Sequence, residues 1–403
     1  MSSGKPLQNK GGDRPLETTA KSVRHSEGRA ARFRHQRHAS KLLGGRHRVG
    51  LCRWSVVSKA AGVDLVTTRY GGGATYSHYE GTQTCGSVWA CPCCGARISE
   101  TRREELGTLL SWARAQGYHV RMITLTVRHG RDDDLADLLE GLKDAKRRWA
   151  RHRAYRDIKP YIVGSVTATE VTGGGQHGWH PHIHVVEILK EDIDLTPLRD
   201  AWLASLRGAG LEGTGAGWDV RAADETGKYL AKWGAAEELS LTGLKKGRAG
   251  RTPAQLLAAS CDDGDREAGR LWAEYAQVFH GRRQLVWSRG LKALAGVGEV
   301  DDATAARDER QDDQEDVERA NIPHETWRDR IVRHGGDRRA ALLDRAEEIG
   351  PEAAVGELFD VALACDDIAE LLEEVDVAPA PIRGGLREHL VASISLEVFP
   401  PDT

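Results

Sequence analysis

His182 and His184 are separated by a single residue inside an apolar run that continues through Ile183, Val185 and Val186. In a β-strand, residues i and i+2 face the same side, so the two imidazoles project together while Ile183 and Val185 point into the opposite layer. Two imidazoles held close on a rigid strand can bind one divalent cation. Glu170 falls on the preceding strand, across a turn supplied by Gly173, Gly174, Gly175 and Gly178, and offers a carboxylate to the same point. Two nitrogens, one carboxylate and open positions suit Mg²⁺ or Mn²⁺ touching a phosphate, with imidazole favouring Mn²⁺. Glu187 competes for the carboxylate role, but its odd offset from His184 sends it to the other face.

A second group lies downstream, at Glu225, Tyr229 and Lys232. On a helix the i, i+4 pair Glu225/Tyr229 and the i, i+3 pair Tyr229/Lys232 share a face. A phenol with a pKa of about 10 is a weak nucleophile at neutral pH. A neighbouring ammonium and a metal that polarises the electrophile make it useful. Attack by Tyr229 on a phosphodiester would give a 5′-phosphotyrosine and a free 3′-hydroxyl. Glu225 would activate water or a second hydroxyl to end the reaction. Taken without the histidine strand, the same spacing describes an ordinary amphipathic surface.

Cysteine supplies a third group. Cys85, Cys91 and Cys94 put three sulfurs within ten residues, and Cys52 would close a tetrahedral Cys₄ zinc site. Cys93 and His78 are the alternatives for the fourth ligand. Zinc here would fold a small lobe too poor in apolar residues to stand alone. Cys261 and Cys365 sit in helical apolar patterns and read as inert.

The elements that must position these groups alternate irregularly. Strands are predicted at 122–127, 161–171, 182–189, 218–221 and 284–288. Helices are predicted at 98–117, 132–153, 196–206, from 225, and at 253–277. Mixed order with an antiparallel hairpin predicts an α+β fold. Five segments follow: a disordered basic arm over 1–45, a zinc-knuckle lobe over 46–97, a main domain over 98–295, a charged linker over 296–321, and an acidic helical region over 322–403. No internal repeat interrupts this order.

Charge divides the 403 residues unevenly. Residues 301–403 hold 27 Asp/Glu against 11 Lys/Arg, a net of −16, so residues 1–300 carry +13 of the overall −3. Residues 1–60 alone hold 14 Lys/Arg against 3 Asp/Glu. A basic body with a basic arm suits a polyanion such as DNA. No apolar run approaches the ~20 residues that span a bilayer, and no signal-peptide core begins the chain, which places the protein in the cytoplasm. In that compartment clustered cysteines bind metal more readily than they form disulfides.

Five segments, taken together, resemble a known family. They are Thr84–Cys85–Gly86–Ser87–Val88–Trp89–Ala90–Cys91–Pro92–Cys93–Cys94, Met122–Ile123–Thr124–Leu125–Thr126, Ala168–Thr169–Glu170–Val171–Thr172, Gly178–Trp179–His180–Pro181–His182–Ile183–His184 and Lys228–Tyr229–Leu230–Ala231–Lys232. Their order, over roughly 48–290, resembles that of the rolling-circle plasmid replication initiators of the HUH endonuclease superfamily. The resemblance implies a five-stranded antiparallel sheet flanked by helices. It also implies a metal pair at His182 and His184, a nicking nucleophile at Tyr229 and a terminating acid at Glu225. Plasmid origin DNA, a host helicase and a DNA polymerase are the implied partners, and a homodimer is compatible with it. Two other readings compete: a single-tyrosine HUH transposase or relaxase, and a non-catalytic zinc- and DNA-binding regulator. The cysteine knuckle and the Glu225 spacing argue against the first, and the regulator, in which the histidines and Tyr229 are only structural, predicts that loss of Tyr229 leaves every activity intact.

Overall fold

A computed structural model describes residues 15–69, 75–175, 178–222, 250–307 and 316–359. Glu225, Tyr229 and Lys232 lie outside the described residues, as does Cys365. Residues Met1–Val355 form one compact unit, and the rest of the chain belongs to a second.

The main sheet contains β3 (His119–Thr126), β4 (Ile162–Gly175), β5 (Gly178–Leu189), β6 (Trp218–Ala222) and β7 (Leu285–Trp287). All neighbours are antiparallel, in the order β6-β3-β5-β4-β7. The alternation predicted from sequence therefore forms an α+β fold around a five-stranded antiparallel sheet. β4 and β5 are a hairpin in which Gly175 pairs with Gly178. Gly178 has φ +73°, and a Cβ there would sit 2.7 Å from the Gly130 carbonyl oxygen, so only glycine fits this turn without strain.

Period-two alternation gives the sheet two apolar faces. Ile123, Leu125, Ile183 and Val185 point to one side, where Trp149 of α3 (Leu135–Arg151) and Trp202 of α5 (Thr196–Gly208) bury against them. A shorter helix, α4 (Arg153–Ile158), follows α3 directly. Two further helices, α6 (Pro253–Asp262) and α7 (Arg266–Val278), contribute Leu256, Leu271 and Trp272 to the same core. Met122, Val166, Val186 and Ile188 point the other way, against Leu106, Leu109 and Ala113 of α2 (Pro92–Ala115). His182 and His184 share that second face, beyond the apolar patch that α2 covers.

A smaller sheet differs from the sequence expectation. β1 (Val63–Arg69) pairs with β2 (Thr75–Glu80) on one side and with β8 (Asp316–Ile322) on the other, both antiparallel. The segment read as a charged linker thus ends in a strand of the small lobe. Glu318 meets Arg69 at 3.0 Å near the surface, while Ile322 at the end of the strand is buried. The segment read as a disordered basic arm is also ordered in part, because Pro15–Leu42 forms helix α1. This helix packs on α8 (Gly336–Ile349), and Arg29 is clamped by Asp344 and Glu347. Arg339 of α8 is fully buried between the rings of Trp54 and Phe33, at 3.3 and 4.1 Å, and donates to the Arg53 carbonyl. Residues from both ends of the unit therefore complete the lobe that holds the cysteines.

Candidate metal centres

The hairpin register sets Glu170 directly opposite His182 and Ala168 opposite His184. A small side chain at 168 lets the Glu170 carboxylate lean across to both rings. Its Oε2 lies 3.1 Å from His182 Nε2 and 3.4 Å from His184 Nε2. The two rings are 4.8 Å apart at their centroids and nearly perpendicular. Burial alone would raise the Glu170 carboxyl, but hydrogen bonds and positive charge from His182 and His184 hold it well below the ordinary carboxylate range. An ionised carboxylate and two imidazole nitrogens, all within 4.8 Å of one another, form a donor set that fits a divalent cation.

β3 contributes the group that orients the inner histidine, His184. Thr124 pairs with His184 across the sheet, and its Oγ1 lies 3.1 Å from His184 Nδ1. Such a contact fixes the ring and leaves Nε2 to face the carboxylate. The row of histidines extends outward. His180 stands beside His182 at 5.4 Å between centroids, and its Nδ1 shares a 2.6 Å hydrogen bond with His129 Nε2. Burial, with His182 and His129 nearby, lowers His180 to about 4. In the sequence Thr124 stands only as part of the Met122–Thr126 segment, with no role, and His129 is not singled out. Their proximity depends on strand register and on the path of the loop after β3, which leave no local signal.

Glu187 lies on the opposite face, as its offset requires. It is fully buried, accepts a 2.8 Å hydrogen bond from the Tyr155 hydroxyl, and its Oε2 has no partner among the described residues. Burial, only partly offset by Tyr155 and Lys146, raises its carboxyl from 4.5 to about 7. The folded protein thus retains a proton that the unfolded chain releases, so stability falls as pH rises from 4.5 to about 7. The loss amounts to roughly 3 kcal/mol. Glu187→Gln is expected to flatten this slope in urea unfolding at pH 5 and pH 8, and an unchanged slope would refute the assignment.

The cysteines converge at the N-terminus of α2. Cys91 is its N-cap, Pro92 takes the first helical turn, where a missing N–H costs nothing, and Cys94 follows one turn in. Cys94 Sγ lies 3.4 Å from Cys52 Sγ and 3.6 Å from Cys85 Sγ, and Cys91 Sγ lies 3.7 Å from Cys52 Sγ. Hydrogen bonds from Cys52, Cys85 and Cys91 hold the Cys94 thiol far below its ordinary range. Tetrahedral coordination with Zn–S bonds of about 2.3 Å puts sulfurs ~3.8 Å apart, close to this spacing. Of the three candidates for the fourth position, only Cys52 joins the cluster. Cys93 Sγ points to Gln36 Oε1 at 3.7 Å, and His78 bonds Glu80 on the small sheet.

A five-stranded antiparallel sheet carrying a His–His–carboxylate cluster, with a four-cysteine knot at the start of the adjoining helix, defines an α+β protein. A third group, His35, Cys261 and Asp262, also brings metal-capable atoms together, so Cys261 is not simply the inert residue its helical pattern suggested. Comparison with known proteins gives the family. The family model described as "Replication protein" matches residues 77–193, which hold Cys85, Cys91, Cys94, Glu170, His182 and His184. "Protein rep" of Streptomyces lividans is 30% identical over 379 residues, covering 72% of this chain and 81% of that protein. A "Neomycin resistance protein" of Streptomyces cyanogenus is 32% identical over 136 residues, which is 27% of this chain and 31% of that protein. No solved structure matches. The chain belongs to the Rep family of replication proteins. No helix among the described residues is long and apolar enough to cross a membrane.

Proposed function

We propose that this protein initiates rolling-circle plasmid replication by nicking one strand at the origin and remaining attached to the 5′ end. The observation that carries this reading is the Glu170–His182–His184 cluster on the central sheet of a Rep-family chain. The cluster would hold Mg²⁺ or Mn²⁺, which supplies charge stabilisation at the scissile phosphate. Thr124 orients His184, and the burial of His184 restricts water around the inner ligand.

Tyr229 is the nucleophile. Its phenolic oxygen forms a bond to phosphorus as the bond to the 3′ oxygen breaks. The phenol's proton leaves to solvent and the departing 3′ oxygen takes one up. Lys232, three residues further along the chain, would favour the phenolate. Phosphodiester energy is conserved in the phosphotyrosine, and the 3′-hydroxyl primes synthesis by host polymerase behind a host helicase. Glu225 ends the cycle by activating water or a returning hydroxyl. The Cys52, Cys85, Cys91 and Cys94 knot holds zinc and is structural. The reaction takes place on origin DNA in the cytoplasm.

The test uses full-length protein, Mn²⁺ and labelled single-stranded origin DNA, read on denaturing gels. Wild type is expected to give a metal-dependent covalent adduct that Tyr229→Phe cannot form. An adduct persisting in Tyr229→Phe would move the nucleophile elsewhere. Tight binding without any adduct would favour a non-catalytic DNA-binding regulator.

A further inference from the structure

The Trp89 segment and the metal cluster are far apart in sequence, yet they line one cavity. Its volume is about 320 Å³, and Trp89, Trp272, Tyr275 and Gln284 form its walls together with Glu170 and His182. A space this size is at the small end of ligand pockets and suits a single planar group. The half-buried Trp89 ring is fixed by three contacts. Its Nε1 donates to the Arg282 carbonyl at 2.7 Å, and its ring meets Phe279 and Tyr275 edge-on at 4.9 and 6.3 Å. An indole held this way is a preformed stacking platform.

The polar anchor is Gln284. Its Nε2 donates to Ser99 Oγ at 2.8 Å, which aims Oε1 away from α2. That oxygen is buried and has no partner among the described residues, and Gln284 is one of the residues that line the cavity. A buried acceptor without a donor is costly, so a ligand that brings an N–H there gains the full value of the bond.

We infer that this cavity takes one unstacked nucleobase of the nicked strand, stacked on Trp89 and donating an exocyclic amino hydrogen to Gln284 Oε1. The inference rests on the single-strand nicking reading and adds the subsite that selects a base beside the scissile phosphate. Glu170 and His182 belong to both the cavity wall and the metal cluster, so the base seated here lies within one or two nucleotides of the reacting phosphate. A backbone phosphate at the metal and a flipped base in the pocket are compatible with one continuous strand.

Single-stranded oligonucleotides of the cognate origin, each with one abasic position, would be assayed with full-length protein for both equilibrium binding and adduct formation. One position next to the nick is expected to lose roughly five- to a hundredfold in affinity, the range for a single stacked base. Trp89→Ala should show that same loss on intact DNA and no further loss on the abasic strand. Trp89→Phe should recover most of the affinity. Removing the exocyclic amino group of that base should weaken wild type but leave Gln284→Leu unchanged. If every abasic strand binds and reacts alike, or if Trp89→Ala weakens intact and abasic DNA equally, the pocket assignment is overturned while nicking stands. If the strand is bound without any adduct, the nicking reading fails, and the binding arm of the scan still decides the pocket.

Discussion

His184→Ala is expected to lower metal-dependent nicking by about 10³-fold, equivalent to ~4 kcal/mol of transition-state stabilisation. His184 is only 3% exposed, and its position is set twice, by β-pairing to Ala168 and by the Thr124 hydroxyl. On the proposed function, alanine would remove a ligand that water cannot replace in the same geometry, and it leaves the Glu170 carboxylate with one fewer partner. Thr124→Val separates orientation from ligation. It retains every ligand, so it should weaken metal affinity by roughly 10–100-fold and regain near-normal turnover at saturating Mn²⁺. DNA-binding anisotropy and the thermal midpoint would be followed in both variants, to exclude unfolding as the cause. Full activity of His184→Ala at ordinary Mn²⁺ would remove the metal cluster from the mechanism.

Cys94→Ser should destabilise the protein more than any other single surface-distant change of equal size. The knot joins three separated segments: the loop before β1, the loop after β2 and the first turn of α2. Structural zinc contributes about 10–16 kcal/mol of apparent binding free energy in small zinc domains, comparable to the whole stability of many domains. The knot sits in the apolar core beside Val49, Ala90 and Ile98, and polar groups close it on another side. Gln36 donates to the carbonyls of Val49 and Cys52, and Arg339 donates to that of Arg53. Elemental analysis is expected to give one tightly held zinc in wild type and none in Cys94→Ser. Chelation should lower the thermal midpoint and shift tryptophan emission to the red as Trp54, Trp89 and Trp327 gain access to water. A chelated protein that contains no zinc at the outset and melts unchanged would end the structural-zinc reading.

Some of this architecture was legible before any coordinates, for a simple reason. The strands of the main sheet are apolar with period two, and helices α3 and α7 have apolar stripes with period 3.6, so burial left its mark on composition. The same alternation separated His182 and His184 from Ile183 and Val185, and it sent Glu187 to the far side. Helix α1 left no such mark because it buries polar groups. Arg29, His35 and Gln36 are enclosed and bonded to partners up to 318 residues away, so a reading based on apolar periodicity finds only a basic arm. β8 is hidden in the same way. Asp316, Glu318 and Arg319 make it read as a solvated linker, yet backbone pairing with β1 needs no apolar side chain.

The sequence by itself determined which atoms are available for chemistry: two imidazoles on one strand face, a carboxylate across the hairpin, and three thiols within a single turn and its approach. Those facts follow from spacing and from the fixed geometry of strands and helix caps. Tertiary structure decided what no spacing encodes. It brought Cys52, rather than Cys93 or His78, to the other three sulfurs, placed Thr124 on His184 and His129 on His180, and brought Trp89 and Gln284 to the edge of the His–His–carboxylate cluster. Each of these depends on the register of a strand pair or on how helices pack on a sheet. Such choices are fixed by summed burial over the whole core, a quantity that no local stretch of residues contains.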